Sequence, residues 1–378
     1  MKSGYRPLGE LIKLIDERNS HLVTTRLLGI NIDKFFMPSV ANVIGTDLSR
    51  YKLLRKGLFA CNPMHVGRDE RLPVALFQEE QPAIVSPAYF MFEVLDSGIL
   101  DEEYLMLWFR RAEFDRKCWF HTDGSVRGGL TWDDFCRMQV RVPDLEEQKK
   151  IVHAYKVIED RINLKKRINE NLTEQIVLLY KQRFPLSENP SLNATISDYC
   201  DKIYSGGTPL TTEETFWGGK YNWLSSGETS QDYIISTEKT ITDDGINNST
   251  TKLAEKGTVV IASAGQGITR GQTSLLFIDT YINQSLIALK PKKNLLGILY
   301  SNLKGRYDEM RNLSDLDSIR GSLTTKSISS LPIYLPDMKL AYMFDSQCKV
   351  LFKKIHANIQ EISVLNELSH SICASLLI

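Results

Sequence analysis

Six cysteines are scattered through the chain, and no two of them form a Cys-x-x-Cys pair. Cys61, Cys118, Cys136, Cys200, Cys348 and Cys373 have no histidine at metal-ligand spacing, so they read as free thiols of a reducing compartment. None of the six histidines stands in a His-x-x-x-His or His-Glu-x-x-His arrangement, which argues against catalytic zinc. No apolar run approaches the ~20 residues of a membrane span. Met1–Pro7 leads into folded-looking sequence without an apolar signal core. The cytoplasm is the expected location, with no membrane partner. An excess of one charge is also missing, because Lys+Arg and Asp+Glu both total 46. Composition alone therefore lacks the basic footprint of a nucleic-acid binder.

Catalytic signatures are absent too. There is no Gly-x-x-x-x-Gly-Lys-Ser/Thr phosphate loop, and the glycine-rich stretch Gly265–Gly271 contains no lysine. Asn62-Pro63-Met64-His65 has only a superficial likeness to an Asn-Pro-Pro-Tyr pocket. It lacks the second proline and the aromatic ring that would stack on a flipped base. No Asp…Glu-x-Lys nuclease constellation stands out. The chain is expected to hold no catalytic residue, metal or cofactor of its own.

What is present is a repeat. Arg127-Gly128-Gly129-Leu130-Thr131 matches Arg320-Gly321-Ser322-Leu323-Thr324 at an offset of 193, as Val140–Pro143 matches Ile333–Pro336. Upstream, Lys56–Ala60 resembles Lys256–Val260 at 200, and Val85–Tyr89 falls opposite Ile282–Leu286 at 197. Several matches in one order point to a duplicated unit with small loop insertions.

After each of these prolines, apolar residues recur at spacings of four and three. The first series is Ile151, Tyr155, Ile158, Ile162, Leu172, Ile176 and Leu179, with Lys165 and Asn169 at the seam positions between. The second contains Phe344, Cys348, Leu351, Ile355, Asn358, Ile362, Leu365, Ser369 and Ile372, each 193 beyond a seam position of the first. A 3.5-residue period is a coiled-coil seam, and polar seam residues can fix its register. Neither segment has an interior Pro or Gly, so each can run for about 38 residues, roughly 57 Å.

The spacing predicts an α/β (α+β) chain of two tandem, pseudo-symmetric domains, at 1–144 and 186–337. Long helices at 145–185 and 338–378 follow them and pair as an antiparallel coiled coil. Strands are expected at Leu58–Cys61, Ala83–Val85, Thr258–Ser263, Ser274–Ile278 and Leu286–Leu289, and single helices over Tyr104–Arg116 and Leu295–Arg311. Each domain is mildly acidic, with 19 basic against 22 acidic residues in 1–147 and 14 against 17 in 184–337. Segment 148–183 carries the excess, nine against four.

Matching strands are followed by loops of differing polar chemistry: Asn62, His65, Arg68 and Arg71 in the first domain, and Ser263, Gln266, Thr269 and Arg270 in the second. Arg can bond guanine, and Asn or Gln adenine, through two hydrogen bonds each. With Arg127, Thr208, Lys220 and Arg320 these form the candidate DNA-binding set.

Further motifs carry a family likeness. They are Gly206-Gly207-Thr208-Pro209, Trp217-Gly218-Gly219, Asn222-Trp223-Leu224, Ile282–Leu289, Leu331–Pro336, and the helix start Pro143, Glu147, Gln148, Ile151. Over its full length the chain resembles the specificity subunit of type I restriction–modification systems. The second helix start, Pro336–Tyr342, departs by lacking the Glu-Gln pair, and the first domain lacks a Gly-Gly-Thr-Pro equivalent.

The resemblance implies that each domain reads one half of an interrupted double-stranded DNA target, with the helices setting the distance between halves. It implies two modification (methyltransferase) subunits bringing S-adenosylmethionine for adenine methylation. It also implies restriction (motor–nuclease) subunits bringing ATP and Mg. The alternative is a stand-alone DNA methyltransferase or nuclease with a divergent active site.

Overall fold

The computed structural model describes residues 4–41, 45–64, 66–122, 129–184, 194–265, 267–317, 321–334 and 336–375. It divides into two compact units, Met1–Asn163 with Ser363–Ile378, and Leu164–Ile362. The division falls inside both long helices, whereas the sequence reading placed boundaries where those helices begin.

In the first unit, β1 (Tyr5–Pro7), β2 (Ile12–Ile15), β3 (Leu28–Ile30), β4 (Phe36–Pro38), β5 (Lys52–Leu54) and β6 (Phe59–Cys61) precede a helical turn, α1 (Val66–Asp69). Strands β7 (Val74–Leu76), β8 (Ala83–Val85) and β9 (Phe90–Val94) follow. Helices α2 (Glu102–Phe109), α3 (Ala112–Phe120) and α4 (Trp132–Arg137) and strand β10 (Gln139–Arg141) lead to the long helix α5 (Leu145–Arg183). The main sheet has the order β2-β9-β6-β7, β5 pairs with β8, and β10 returns to pair with β1. Phe59 of β6 stacks on Phe92 of β9 at 4.9 Å, and Phe109 of α2 meets Phe59 edge-on at 5.8 Å. Such rings dominate core energetics because each buries about 150–250 Å².

The second unit repeats this plan. Its strands are β11 (Ala194–Thr195), β12 (Cys200–Ser205), β13 (Trp217–Leu224), β14 (Tyr233–Ile234) and β15 (Lys239–Ile241). After the short helix α6 (Asp243–Asn247) come β16 (Lys252–Ala254), β17 (Val259–Ala262), β18 (Thr273–Leu276), β19 (Thr280–Ile282) and β20 (Leu286–Pro291). Helices α7 (Leu296–Lys304), α8 (Tyr307–Asp317) and α9 (Thr325–Ser329), strand β21 (Pro332–Ile333) and the long helix α10 (Met338–Ser375) complete it. The order β12-β20-β17-β18 reproduces β2-β9-β6-β7, and the second unit adds β14 beyond β18. β16 pairs with β19 as β5 does with β8, and β21 with β11 as β10 does with β1.

The repeated Leu-Thr pairs have a local structural job. Thr131 and Thr324 cap α4 and α9, each hydroxyl accepting a hydrogen bond from a backbone amide three residues on. The single helices expected over Tyr104–Arg116 and Leu295–Arg311 are each two helices. The chain breaks at Arg110–Arg111, where buried Arg111 stacks over Trp108, and at Gly305–Arg306, where buried Arg306 donates to the Pro332 carbonyl at 2.8 Å. Apolar periodicity continues through both breaks, so the pattern alone conceals them.

The two long helices are present, with 39 and 38 residues. All seam positions named above are buried or half-buried. Within the second unit, Lys165 donates to Asn358 at 3.1 Å, Asn358 to Asn169 at 2.8 Å, and Arg183 to Gln347 at 2.7 Å. Residue numbers rise along α5 as they fall along α10, so these segments run antiparallel. Within the first unit Ser369 donates to Glu159 at 3.3 Å in the same sense. The seam also serves the domain cores. Ile151, Tyr155 and Ile372 pack into the first unit's core, and Ile176, Phe344 and Ile355 into the second's.

Candidate nucleic-acid interface

In the second unit, the loop after β17 is tied down on several sides. The Ser263 amide donates to the Ser285 carbonyl, and the Leu323 amide to the Ser263 carbonyl, both at 2.8 Å. From α8, Arg311 donates to the Gly267 carbonyl at 2.8 Å and Tyr307 to that of Ile268 at 2.7 Å. Arg270 turns inward, only 7% exposed, to Asp315 at 2.5 Å and the Gly321 carbonyl at 2.9 Å. Gly321 has a φ of +59°, and a Cβ there would lie 2.1 Å from the Arg270 guanidinium. The loop's polar face is thus held out by residues that sit behind it, while Ile268 stands exposed at its tip.

The loop joining β12 to β13 lies beside it. Added Cβ atoms would come within 1.9 Å of the Ile282 carbonyl at Gly206 and 2.1 Å of the Thr250 hydroxyl at Gly207. Only glycine allows that close approach, which sets the Thr208 hydroxyl to donate to exposed Gln284. Thr208, Gln284, Ser285, Ser263 and Leu323 therefore follow one another by direct contact or chain adjacency.

The first unit makes the equivalent junction. The Leu130 amide donates to the Pro63 carbonyl at 3.1 Å, just as Leu323 does to Ser263. Asn62 is half-buried and accepts the Met64 amide at 3.1 Å. At the loop's end Arg71 pairs with Asp33 at 2.9 Å, and the Leu72 amide donates to Asp115 at 3.1 Å. Asp115 also receives the buried Lys34 ammonium at 2.6 Å. Burial pulls the Lys34 pKa down, and the Asp115 charge opposes that shift.

The sequence model of the type I restriction modification DNA specificity domain matches residues 74–174 and 193–359, more than half of the chain. The chain belongs to that family. It is 26% identical over 141 residues to the specificity subunit of a type I restriction enzyme from Escherichia coli, a match spanning 36% of this chain and 35% of that one. The chain thus covers about a third of that curated relative. The type I restriction–modification S subunit of M. genitalium superimposes with a TM-score of 0.54 at 16% identity, over 98% of this chain and 95% of that one, which shows a shared fold. A chain from a study of type I restriction–modification complex assembly aligns over 100% of this chain and 98% of its own, at 18% identity and a TM-score of 0.45.

Within these specificity domains, Asn62, Arg71, Thr208, Ser263, Thr269 and Arg270 lie in or beside the joined loops. Lys220 does not: it sits on β13, paired with Asp243 at 3.4 Å and lying over the Tyr221 ring. His65, Arg127, Gln266 and Arg320, and the Arg68 side chain, lie outside the described residues. Sequence reasoning missed Gln284 as a surface residue, although it lies two residues before the expected strand Leu286–Leu289. Among the described residues no group of His, Cys, Asp or Glu could hold a metal ion, and no helix is long and apolar enough to cross a membrane.

Proposed function

We propose that this chain is the DNA-specificity subunit of a type I restriction–modification complex in the cytoplasm, and that it contributes no catalytic group. Each recognition domain reads one half-site of an interrupted duplex target, and the long helices set the spacer. The observation that supports this most is the duplicated junction. The Leu130–Pro63 and Leu323–Ser263 bonds fix the same loop pair on the same scaffold, while the loops themselves differ in chemistry. Two readers for two different sequences need that combination.

Two modification subunits would bring S-adenosylmethionine and the adenine-methylating sites, and restriction subunits the ATP- and Mg-dependent motor and nuclease. Partners would also supply part of the phosphate attraction, in keeping with equal totals of 46 basic and 46 acidic residues. Within the loops, exposed Gln284 is the proposed outward-facing reader, beside half-buried Thr208 and Thr269; Ser263, expected from sequence to touch DNA, is buried and holds the junction through its backbone instead. Arg270 holds the loop from behind, its buried guanidinium donating to Asp315 and to the Gly321 carbonyl. Arg71 is different, because an exposed pair such as Arg71–Asp33 is worth only ~0–1 kcal/mol and exchanges readily for a phosphate or guanine.

The test is selection of random duplexes by the chain reconstituted with its modification subunits. Recovery of two short motifs at a fixed separation is expected. A complex that assembles but enriches no motif would refute the reading, and DNA methylation or cleavage by the purified chain alone would favour an enzyme instead.

A further inference from the structure

The second recognition domain carries a groove of about 450 Å³ lined by Lys202, Lys252 and Lys290 around Tyr204. The Tyr204 hydroxyl donates to the Leu253 carbonyl at 2.8 Å, joining β12 to β16, and the Lys252 ammonium lies 6.0 Å from the Tyr204 ring centre. Lys202 and Lys290 are direct cross-strand partners on β12 and β20. Like charges directly opposite on antiparallel strands destabilise a sheet. Glu255 is the only carboxylate among the described lining residues, and it pairs with Lys290 at 2.6 Å. Among the described residues neither Lys202 nor Lys252 has an ion-pair partner. Asp201, beside Lys202 in the chain, also acts on Lys290, and the three lysines still outnumber these two carboxylates, so the groove holds surplus positive charge inside a mildly acidic domain.

The duplication supplies an internal control. Strand register places Lys13 and Glu93 of the first unit where Lys202 and Lys290 stand in the second. Lys52, which opens β5, corresponds to Lys252, which opens β16. In the first unit each of these lysines has a carboxylate: Lys13 faces Glu93 at 3.8 Å, and Lys52 meets Asp16 at 3.0 Å. In the second unit Glu93 is replaced by Lys290, and Asp16 by Ser205 at the end of β12. The same scaffold is charge-balanced in one copy and unbalanced in the other, so the fold does not require the surplus.

We propose that this groove is a phosphate-backbone track for duplex DNA, present in the second recognition domain and absent from the first; the proposal rests on the DNA-reading function above. Three ammonium groups lining an open groove suit the phosphates of a duplex backbone rather than one enclosed anion. Lysine acts there as a point charge that positions the duplex without reading sequence. The groove also adjoins the reading loops, since Ser205 leads directly into Gly206–Thr208 and Lys252 follows the Thr250 that Gly207 touches.

The salt dependence of duplex binding by the chain reconstituted with its modification subunits, measured by fluorescence anisotropy, tests the track. Each phosphate contact contributes about 0.9 to the slope of log affinity against log salt. The K202Q/K252Q/K290Q variant should therefore lose about 2–3 from that slope and bind every duplex more weakly. K13Q in the first unit should leave the slope unchanged. K202E, which sets a carboxylate opposite Lys290 and leaves the Lys290–Glu255 pair in place, should weaken binding while the thermal midpoint stays level or rises, separating lost contact from lost folding. Sequence-selective wild-type binding with an unchanged slope in the triple variant would overturn the track alone. A wild-type complex that assembles but binds no duplex would overturn both the track and the proposed function.

Discussion

Lys165 and Asn358 stand 193 positions apart, the offset of the internal repeat, and they hydrogen-bond to each other at 3.1 Å. A residue that touches its own repeat counterpart marks the point where the antiparallel segments are in register with the duplication. Around it, Asn358 reaches Asn169 at 2.8 Å, and Lys165 pairs with Glu361 at 2.6 Å. The layer is polar and mutually satisfied, the arrangement by which a buried seam fixes register at some expense in stability.

Register therefore depends on that pairing being unlike. Asn358→Lys sets a second ammonium against Lys165 in a site where residue 358 is 1% exposed. It should cost ~2–4 kcal/mol, read as a lowered midpoint in thermal or urea unfolding. Lys165→Asn, which leaves two amides facing each other, should cost ~1 kcal/mol or less. Equal losses for the two variants would show that the layer does not discriminate.

Two helix-to-domain hooks should behave as separate units. Gln148 is fully buried, accepting the Asp101 amide and donating to the Ile99 and Pro143 carbonyls, all at 2.8 Å. In the second copy that position is Ala341, and Asp345, one turn later, accepts the Gly297 amide at 2.7 Å instead. Gln148→Ala and Asp345→Ala should each lower stability by ~2–4 kcal/mol through unsatisfied buried groups. Each should impair reading of one half-site only, measured with duplexes altered in one half at a time.

That substitution of hooks shows what the sequence could and could not reveal. The Pro143–Gln148 pattern was legible as a helix start. The loss of Glu-Gln after Pro336 looked like a departure, because Asp345 acts from a different turn and its partner lies 48 residues away. Ala83–Val85 was legible because Pro and Ser-Pro bound a short apolar run, and the helix seams because their period is sustained. Arg270 read as an outward base contact, since loop composition does not tell which way a guanidinium folds. Its partners Asp315 and Gly321 are 45 and 51 residues distant. The lysine groove was hidden for the same reason, existing only through the β12–β20 register.

Arg270 and Gly321 should share a phenotype. Arg270→Ala removes the clamp, and Gly321→Ala forces a side chain into a left-handed conformation, 2.1 Å from that guanidinium. Strain of this kind costs ~1–3 kcal/mol. Both variants should relax base preference in the second half-site and leave the first unaltered, scored by selection from random duplexes. Equal loss at both half-sites would count against modular reading.

Helix length should set the spacer. Seven residues inserted at matched points of α5 and α10 lengthen each by ~10.5 Å at 1.5 Å per residue. The permitted spacer should grow by about 3 base pairs at 3.4 Å each. A spacer preference that stayed fixed would mean that something other than the helices measures distance.

The most direct test of two independent readers on one duplicated scaffold is methylome sequencing of cells expressing this chain with its modification subunit, beside cells expressing the Arg270→Ala chain. Adenine methylation is expected at a two-part interrupted motif, with the variant degenerate in one part and the other part and the spacer intact. A single continuous motif, or simultaneous loss of both parts in the variant, would contradict it.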